Sequence, residues 1–122
     1  MIKLESLKKS SDFKNVLKHR VANLEVFSIY RKKKFTKKIK DQKKLYISFV
    51  MKKKIGNAVK RNRIKRKLRS IVQKMLKVSD IIDLNYTYVI LGKEKAYQEN
   101  LNSLFEKMKK SFKRMDEIKL WK

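Results

Sequence analysis

Four of the seven arginines in this chain, Arg61, Arg63, Arg66 and Arg69, fall within nine consecutive residues. A guanidinium group offers a planar fork of donors and a stacking face, both of which an ammonium group lacks. Elsewhere in the chain, lysine supplies nearly all of the positive charge. The arginine cluster therefore predicts geometric recognition of phosphates and bases, beyond attraction by a diffuse positive field.

The residues that usually carry enzyme chemistry are scarce. His19 is the single histidine, cysteine is absent, and no glycine-rich phosphate loop occurs. Acid-x-Lys spacings of the kind found in metal-dependent nucleases occur only as often as chance allows. We predict no catalytic residue and no metal site, so an autonomous nuclease is the least favoured function.

The positive charge is large and unevenly placed. The chain has 36 Lys+Arg against 11 Asp+Glu, a net charge of +25. Residues 42–79 contain 14 basic residues and no acid, whereas residues 80–122 contain 9 basic and 7 acidic residues. A solubility coat would not be so asymmetric. Nucleic acid is the default partner for such an excess, and an anionic membrane surface is the other candidate. We expect the binding surface to be built mostly before Ser79.

The length of 122 residues fits one domain, residues 1–122, with a modest core. No apolar run approaches the roughly 20 residues that span a bilayer. The N-terminus shows no signal-peptide pattern. These features predict a cytoplasmic protein without a membrane partner, and no protein partner is evident.

Hydrophobic spacing predicts the secondary structure. Phe13, Val16, Leu17 and Val21 have helical spacing, which predicts a first helix near 11–20 with N-cap oxygens from Ser10, Ser11 and Asp12. Residues 25–31, 45–51 and 86–91 alternate and predict strands, and the lysine-rich residues 32–44 between the first two predict a loop. The strand over 25–31 points Phe27 and Ile29 one way and Val26, Ser28 and Tyr30 the other. One apolar stripe predicts a last helix over 96–115: Tyr97, Leu101, Leu104, Phe105, Met108, Phe112 and Met115.

The segment 53–77 predicts the remaining helix, which has two unlike faces. Gly56 permits a tight turn and Asn57 is a candidate N-cap. Ile64, Leu68, Ile71, Val72 and Met75 share one face, while Asn62, Arg66, Arg69 and Gln73 fall opposite. A merely solvated basic face is the plain alternative. A membrane-binding helix is less favoured, because the apolar face carries no aromatic residue. The fold class is α+β, a small α/β sandwich with helices on one sheet, in the order α-β-β-α-β-α with room for one more strand before the second helix.

The sequence from Lys53 to Arg69, with its Arg-Asn-Arg core at Arg61, Asn62 and Arg63, resembles the signature of the bacterial ribonuclease P protein. Weaker similarity extends over most of the chain. The resemblance implies a left-handed crossover by the Arg-Asn-Arg helix between parallel strands, against the usual hand.

The resemblance also implies two RNA surfaces. One would face the catalytic RNA subunit: Lys53, Lys54, Asn57, Arg61, Asn62, Arg63, Lys65, Arg66 and Arg69. The other would be a cleft for the 5′ leader of precursor tRNA: Phe13, Leu17, Tyr30, Val50 and Lys52. Aromatic side chains suit such a cleft, because every base has a stackable face. The catalytic Mg²⁺ would be held mainly by the RNA subunit and the substrate.

Two alternatives stay open at this point. The family often has Arg-x-Gly where this chain has Tyr46-Ile47-Ser48, and the position of Leu17 is frequently aromatic. Phe13 and Tyr30 could therefore serve core packing alone. A generic ribosome- or nucleoid-associated RNA-binding protein is the alternative function.

Overall fold

The computed structural model describes residues 2–7, 10–33, 44–78 and 81–120. Within those ranges a five-stranded sheet and three helices form a small α+β domain. The elements are β1 (Lys3–Glu5), α1 (Ser10–Val16), β2 (Arg20–Asn23), β3 (Phe27–Lys33), β4 (Lys44–Met51), α2 (Ala58–Val78), β5 (Tyr86–Gly92) and α3 (Leu101–Leu120), with a short 3₁₀ helix (Glu94–Tyr97) before α3. The predicted loop over 32–44 lies mostly outside the described residues.

The sheet has the order β1-β4-β5-β3-β2 and is mixed. β4 is parallel to both β1 and β5, whereas β3 is antiparallel to both β5 and β2. α2 therefore connects two adjacent parallel strands, β4 and β5. The left hand of this crossover stays a prediction.

The main core lies between the sheet and the helices α2 and α3. It is built from apolar side chains of all these elements, among them Phe27, Ile47, Leu68, Tyr88, Ile90, Leu104 and Phe112. Each such side chain stabilises the fold by about 1.5–3 kcal/mol when it is fully buried. Gly92 allows the close approach of α2 to β5, because a Cβ there would lie 2.9 Å from Ile64 Cγ2. The alternation predicted for residues 45–51 and 86–91 is confirmed.

The opposite face of the sheet carries α1. Val16 of α1 and Val89 of β5 are both buried there, outside the main core. The cross-strand register places Ser48, Val89 and Tyr30 in one row on this face. α1 covers only part of the sheet, so β4 keeps a partly exposed strip beside it.

The predicted first helix begins within one residue of the observed start, but its predicted N-cap and its predicted C-terminal end are wrong. α1 already includes Ser10, so Ser10, Ser11 and Asp12 form its first turn and not an N-cap. It ends at Val16, and Val21 lies on the edge strand β2 with 38% exposure. The chain leaves the helix because it begins to pair with β3, where the Arg31 N–H donates to the His19 carbonyl at 3.1 Å. β2 is the additional strand for which the predicted order left room before the second helix, whereas β1 was not predicted.

Three further predictions need correction. Val26 belongs to the main core and not to the second face, because it lies in the turn before β3, where alternation does not apply. The last helix begins at Leu101 and not near residue 96, because the Asn100 side chain accepts the Ser103 N–H at 2.7 Å. Leu101 is thus a first-turn residue with 49% exposure, and Tyr97 is a half-buried residue of the 3₁₀ helix.

Candidate nucleic-acid interface

The entry into α2 is fixed by three residues of the predicted interface region. Gly56 has φ of 61°, a left-handed conformation that favours glycine. The Asn57 side-chain oxygen accepts the Lys60 N–H at 3.0 Å and caps the helix, as the sequence predicted. Arg61 Nη1 donates to the Lys53 carbonyl at 2.8 Å and to the Gly56 carbonyl at 3.3 Å. Asn57 and Arg61 therefore hold the turn as well as contributing polarity and charge.

The inward face of α2 sets the direction of every other side chain on the helix. Ile64, Leu68, Ile71, Val72 and Met75 are buried, as the spacing predicted. Their burial fixes the rotation of the helix, so the basic positions divide between the two flanks of this apolar stripe. The two flanks have different surroundings.

One flank, which we call the docked side, consists of Lys60, Arg63 and Lys67 and packs against residues 94–99. Lys60 Nζ pairs with Glu94 at 3.0 Å and lies 5.1 Å from the Tyr97 ring centroid. The Arg63 guanidinium carbon lies 5.4 Å from the same centroid, within cation–π range. These contacts hold the basic helix against the short 3₁₀ helix.

Lys67 makes the most hydrogen bonds of the docked side. Its ammonium donates to the carbonyls of Ala96, Tyr97 and Glu99 at 3.2, 2.6 and 2.8 Å. Desolvation, followed by the nearby Arg63 charge, lowers the pKa of Lys67. These carbonyls lie at the end of the 3₁₀ helix and just after it, where backbone acceptors need partners. Lys67 thus acts as a structural clamp inside the basic signature.

The other flank, the free side, consists of Asn62, Lys65, Arg66 and Arg69. All four side chains are exposed. In the part of the chain that the structure describes, none of them makes a side-chain hydrogen bond or ion pair. Their donors are available to a ligand without breaking an internal contact, which suits binding of phosphate groups. Lys53 and Lys54 are exposed in the turn before the helix and extend this basic surface.

The predicted leader cleft is only partly assembled. Phe13 and Val50 both line a cavity of about 260 Å³. Leu7 and Ser48 line the same cavity, which lies beside β1 and β4. Leu17, at 36% exposure, and Tyr30 do not line this cavity. Tyr30 lies across the sheet, in the row of Ser48 and Val89. Lys52 lines a separate cavity of about 270 Å³ with Lys54 and Lys93.

Sequence reasoning missed two features of this region. It placed no residue of the N-terminal segment near the interface, yet Leu4 and Glu5 of β1 line the cavity and the Leu7 N–H, just after β1, donates to Ser48 Oγ at 3.0 Å. It also gave Lys67 no role. The only signal was the spacing of Lys60, Arg63 and Lys67, which places all three on one border of the apolar stripe.

Other kinds of site find little support in the described residues. There, no group of three or more His, Cys, Asp or Glu side chains is arranged to hold a metal ion. No helix in the same ranges is long and apolar enough to cross a bilayer. What stands out is the concentration of unpaired cations along α2.

These features define a class of protein: a small α+β domain in which a basic helix with one free side connects two parallel strands. Comparison with known proteins narrows the class. The family model "Ribonuclease P" matches residues 1–116. The chain therefore belongs to the ribonuclease P protein family, which associates it with the ribonuclease P complex and with tRNA processing.

Individual relatives agree with this assignment. The chain is 34% identical to the ribonuclease P protein component of Bacillus cereus, over 91% of this chain and 94% of that protein. The Staphylococcus aureus RNase P protein structure superposes with a TM-score of 0.68 at 25% identity, over 90% of this chain and 94% of that one. The Thermotoga maritima RNase P protein has a similar fold, with a TM-score of 0.70 at 23% identity, over 90% and 96% of the two chains.

Proposed function

We propose that this chain is the protein subunit of ribonuclease P. In this proposal it acts in the cytoplasm, where it binds the catalytic RNA subunit and the 5′ leader of precursor tRNA. It thereby promotes endonucleolytic removal of the leader. The observation that carries the proposal is the free side of α2. Asn62, Lys65, Arg66 and Arg69 are exposed within the family signature and have no competing side-chain partner among the described residues.

The free side suits the RNA subunit for an electrostatic reason. Cations that contact phosphates displace condensed counterions, which favours binding and makes it depend on salt. On the docked side, by contrast, part of the donor capacity is engaged by Glu94 and by backbone carbonyls. The RNA contact is therefore made mainly by the free side and by the exposed turn lysines Lys53 and Lys54.

The cleft between α1 and β4 suits the leader. Phe13 is half-buried and shares a cavity with Val50, so its ring is fixed in place while part of it stays accessible. An aromatic side chain in such a groove stacks on any base, which fits a leader of variable sequence. Tyr30 and Leu17 extend the same face of the sheet and helix, and Lys52 supplies charge at the end of β4.

The chemistry of cleavage belongs to the RNA in this proposal. Mg²⁺ polarises a phosphoryl oxygen or activates water, and we place it on the RNA subunit and the substrate. The described part of this chain offers no cluster of metal ligands, so its residues do not fit a dedicated protein site. The protein raises substrate affinity and screens repulsion between phosphates.

Three parallel cleavage assays test the proposal: precursor tRNA with protein alone, with a catalytic RNA subunit alone, and with both. We expect cleavage by the RNA alone at high Mg²⁺, stimulation by the protein at low Mg²⁺, and no cleavage by the protein alone. Cleavage by protein alone would establish an autonomous nuclease. Binding without stimulation would establish a generic RNA-binding protein.

A further inference from the structure

Two cavities lie side by side along the groove between β1 and α2. The smaller one, of about 260 Å³, reaches Phe13 and Val50 of the proposed leader cleft. The larger one, of about 640 Å³, extends to Gln73 and Lys77 near the end of α2. They share Leu4 and Arg69 as lining residues, so they adjoin along one groove. We call this groove the edge trench.

The wall of the edge trench on α2 carries polar side chains at regular intervals. Lys65, Arg69, Gln73 and Lys77 are spaced four residues apart and all are exposed. Within the described ranges none of them has a side-chain hydrogen bond or ion pair. Glu5 is the one acid among the described residues that line the trench. The wall is therefore a row of unpaired donors with a predominantly positive charge.

The opposite wall and the floor are partly apolar. Ile2, Leu4 and Leu76 are half-buried and line the larger cavity together with Lys3. Half-buried apolar surface beside a row of cations suits a ligand that has both phosphates and flat or sugar surfaces. A single nucleic-acid strand has this combination, whereas a duplex presents mainly its backbone to a protein surface.

The size and the position of the trench match a single nucleic-acid strand that continues from the cleft. From Lys65 to Lys77 an α-helix rises about 18 Å, at about 1.5 Å per residue. A stacked strand carries one phosphate per about 3.4 Å, so about five phosphates fit along this length. β1 pairs with β4 only as far as Tyr46, and the small cavity passes β4 at residues 47–50, beyond that pairing. This opening leads from Phe13 into the trench.

We propose that the part of the 5′ leader farther from the cleavage site leaves the cleft beside Phe13 and follows the edge trench toward Lys77. The inference rests on the proposed leader-binding function and adds a second binding segment to it. Gln73 and Lys77 become leader-binding residues outside the signature, and Lys65 and Arg69 stand where the leader path meets the RNA-subunit surface.

The test is equilibrium binding of two precursor tRNAs to the assembled holoenzyme, one with a leader that ends at the cleft and one about five nucleotides longer. The variants are Lys77→Gln and Gln73→Ala. Lys113→Gln is the matched control, because Lys113 is an exposed lysine of α3 that does not line the trench. Circular dichroism and thermal melting confirm that each variant is folded.

We expect wild-type holoenzyme to bind the longer leader several-fold more tightly. Lys77→Gln should remove most of that gain. It should also reduce the slope of log K against log[salt] for the longer leader by about 0.7, the contribution of one phosphate contact on a single strand. Gln73→Ala should reduce the gain less, because it removes a neutral donor. Binding of the short leader should be unchanged, as should all binding by Lys113→Gln.

Several results would overturn the inference. A Lys77→Gln variant that lowers the affinity for both leaders equally, weakens binding of the RNA subunit, or leaves the extra affinity for the longer leader unaltered would count against it. So would wild-type holoenzyme that binds the longer leader no more tightly than the short one. Failure of the proposed function has a different signature, since wild-type protein would then not favour precursor over mature tRNA at all.

Discussion

Replacing Lys67 with methionine separates the structural part of the basic signature from the part proposed to bind RNA. Lys67→Met keeps a long unbranched side chain and removes the ammonium that donates to the carbonyls of Ala96, Tyr97 and Glu99. We expect a less stable protein whose affinity for the RNA subunit is nearly unchanged at a temperature where the variant is folded.

The magnitude follows from the contacts that are lost. A hydrogen bond to a charged group contributes about 1.5–3 kcal/mol. Three such bonds share one ammonium, and the half-buried site allows water to replace part of them. We therefore expect a loss of about 2 kcal/mol in the free energy of unfolding. For a chain of this size that corresponds to a decrease of about 6–12 °C in Tm.

The assay pairs thermal unfolding with RNA binding and uses Lys65→Met as the matched control. Lys65 lies two residues away on the free side, is exposed, and has no side-chain partner among the described residues. Its replacement removes the same charge, so it should leave Tm nearly unchanged and weaken RNA binding. A wild-type Tm for Lys67→Met, together with a loss of RNA affinity as large as that of Lys65→Met, would contradict the structural role of Lys67.

Three further predictions concern other parts of the molecule. Arg66→Gln should weaken binding to the RNA subunit and reduce the slope of log K against log[salt] by about 0.7–0.9, with an intact circular dichroism spectrum. Unchanged affinity and slope would argue against an RNA role for the free side. Tyr30→Ala should weaken binding of precursor tRNA to the holoenzyme about fivefold or more, since stacking contributes about 1–3 kcal/mol per base, while mature tRNA is little affected. Equal losses on both tRNAs with a lowered Tm would mean that Tyr30 only packs. Gly92→Ala should destabilise the fold by about 1–3 kcal/mol, because the new methyl group would crowd Ile64 and Met51 at 2.9 Å; denaturant unfolding with an unchanged midpoint would contradict this.

The sequence was a good guide to elements that show their own periodicity. The buried face of α2 and the two faces of β4 and β5 follow directly from alternating or helical spacing. Local pattern failed where distant pairing decides the structure. β1 has three residues and forms only against β4, some forty positions later, so nothing within it predicts a strand. Val21 fitted a helical spacing, but pairing with β3 drew its segment into the sheet.

In the candidate site, too, features set by local pattern were predicted and features set by distant contacts were not. The sequence identified the basic helix and which positions oppose its core face. It could not divide the basic residues into docked and free sides, because the partners of Lys60 and Lys67 lie 29 to 34 residues further along the chain. The edge trench was equally out of reach, since its two walls come from the first strand and from α2.

The strand order of the sheet has a consequence for how the chain folds. Among the described residues, only β2 and β3 form a local hairpin, closed where the Leu24 N–H donates to the Phe27 carbonyl at 2.8 Å. The central strand β5 pairs with β3 and β4 only after α2 has brought it back across the sheet. Non-local pairings of this kind slow folding, because loop-closure entropy is lost before the contacts form. In a chain of net charge +25, repulsion adds to that barrier. We therefore expect polyanions or moderate salt to accelerate refolding.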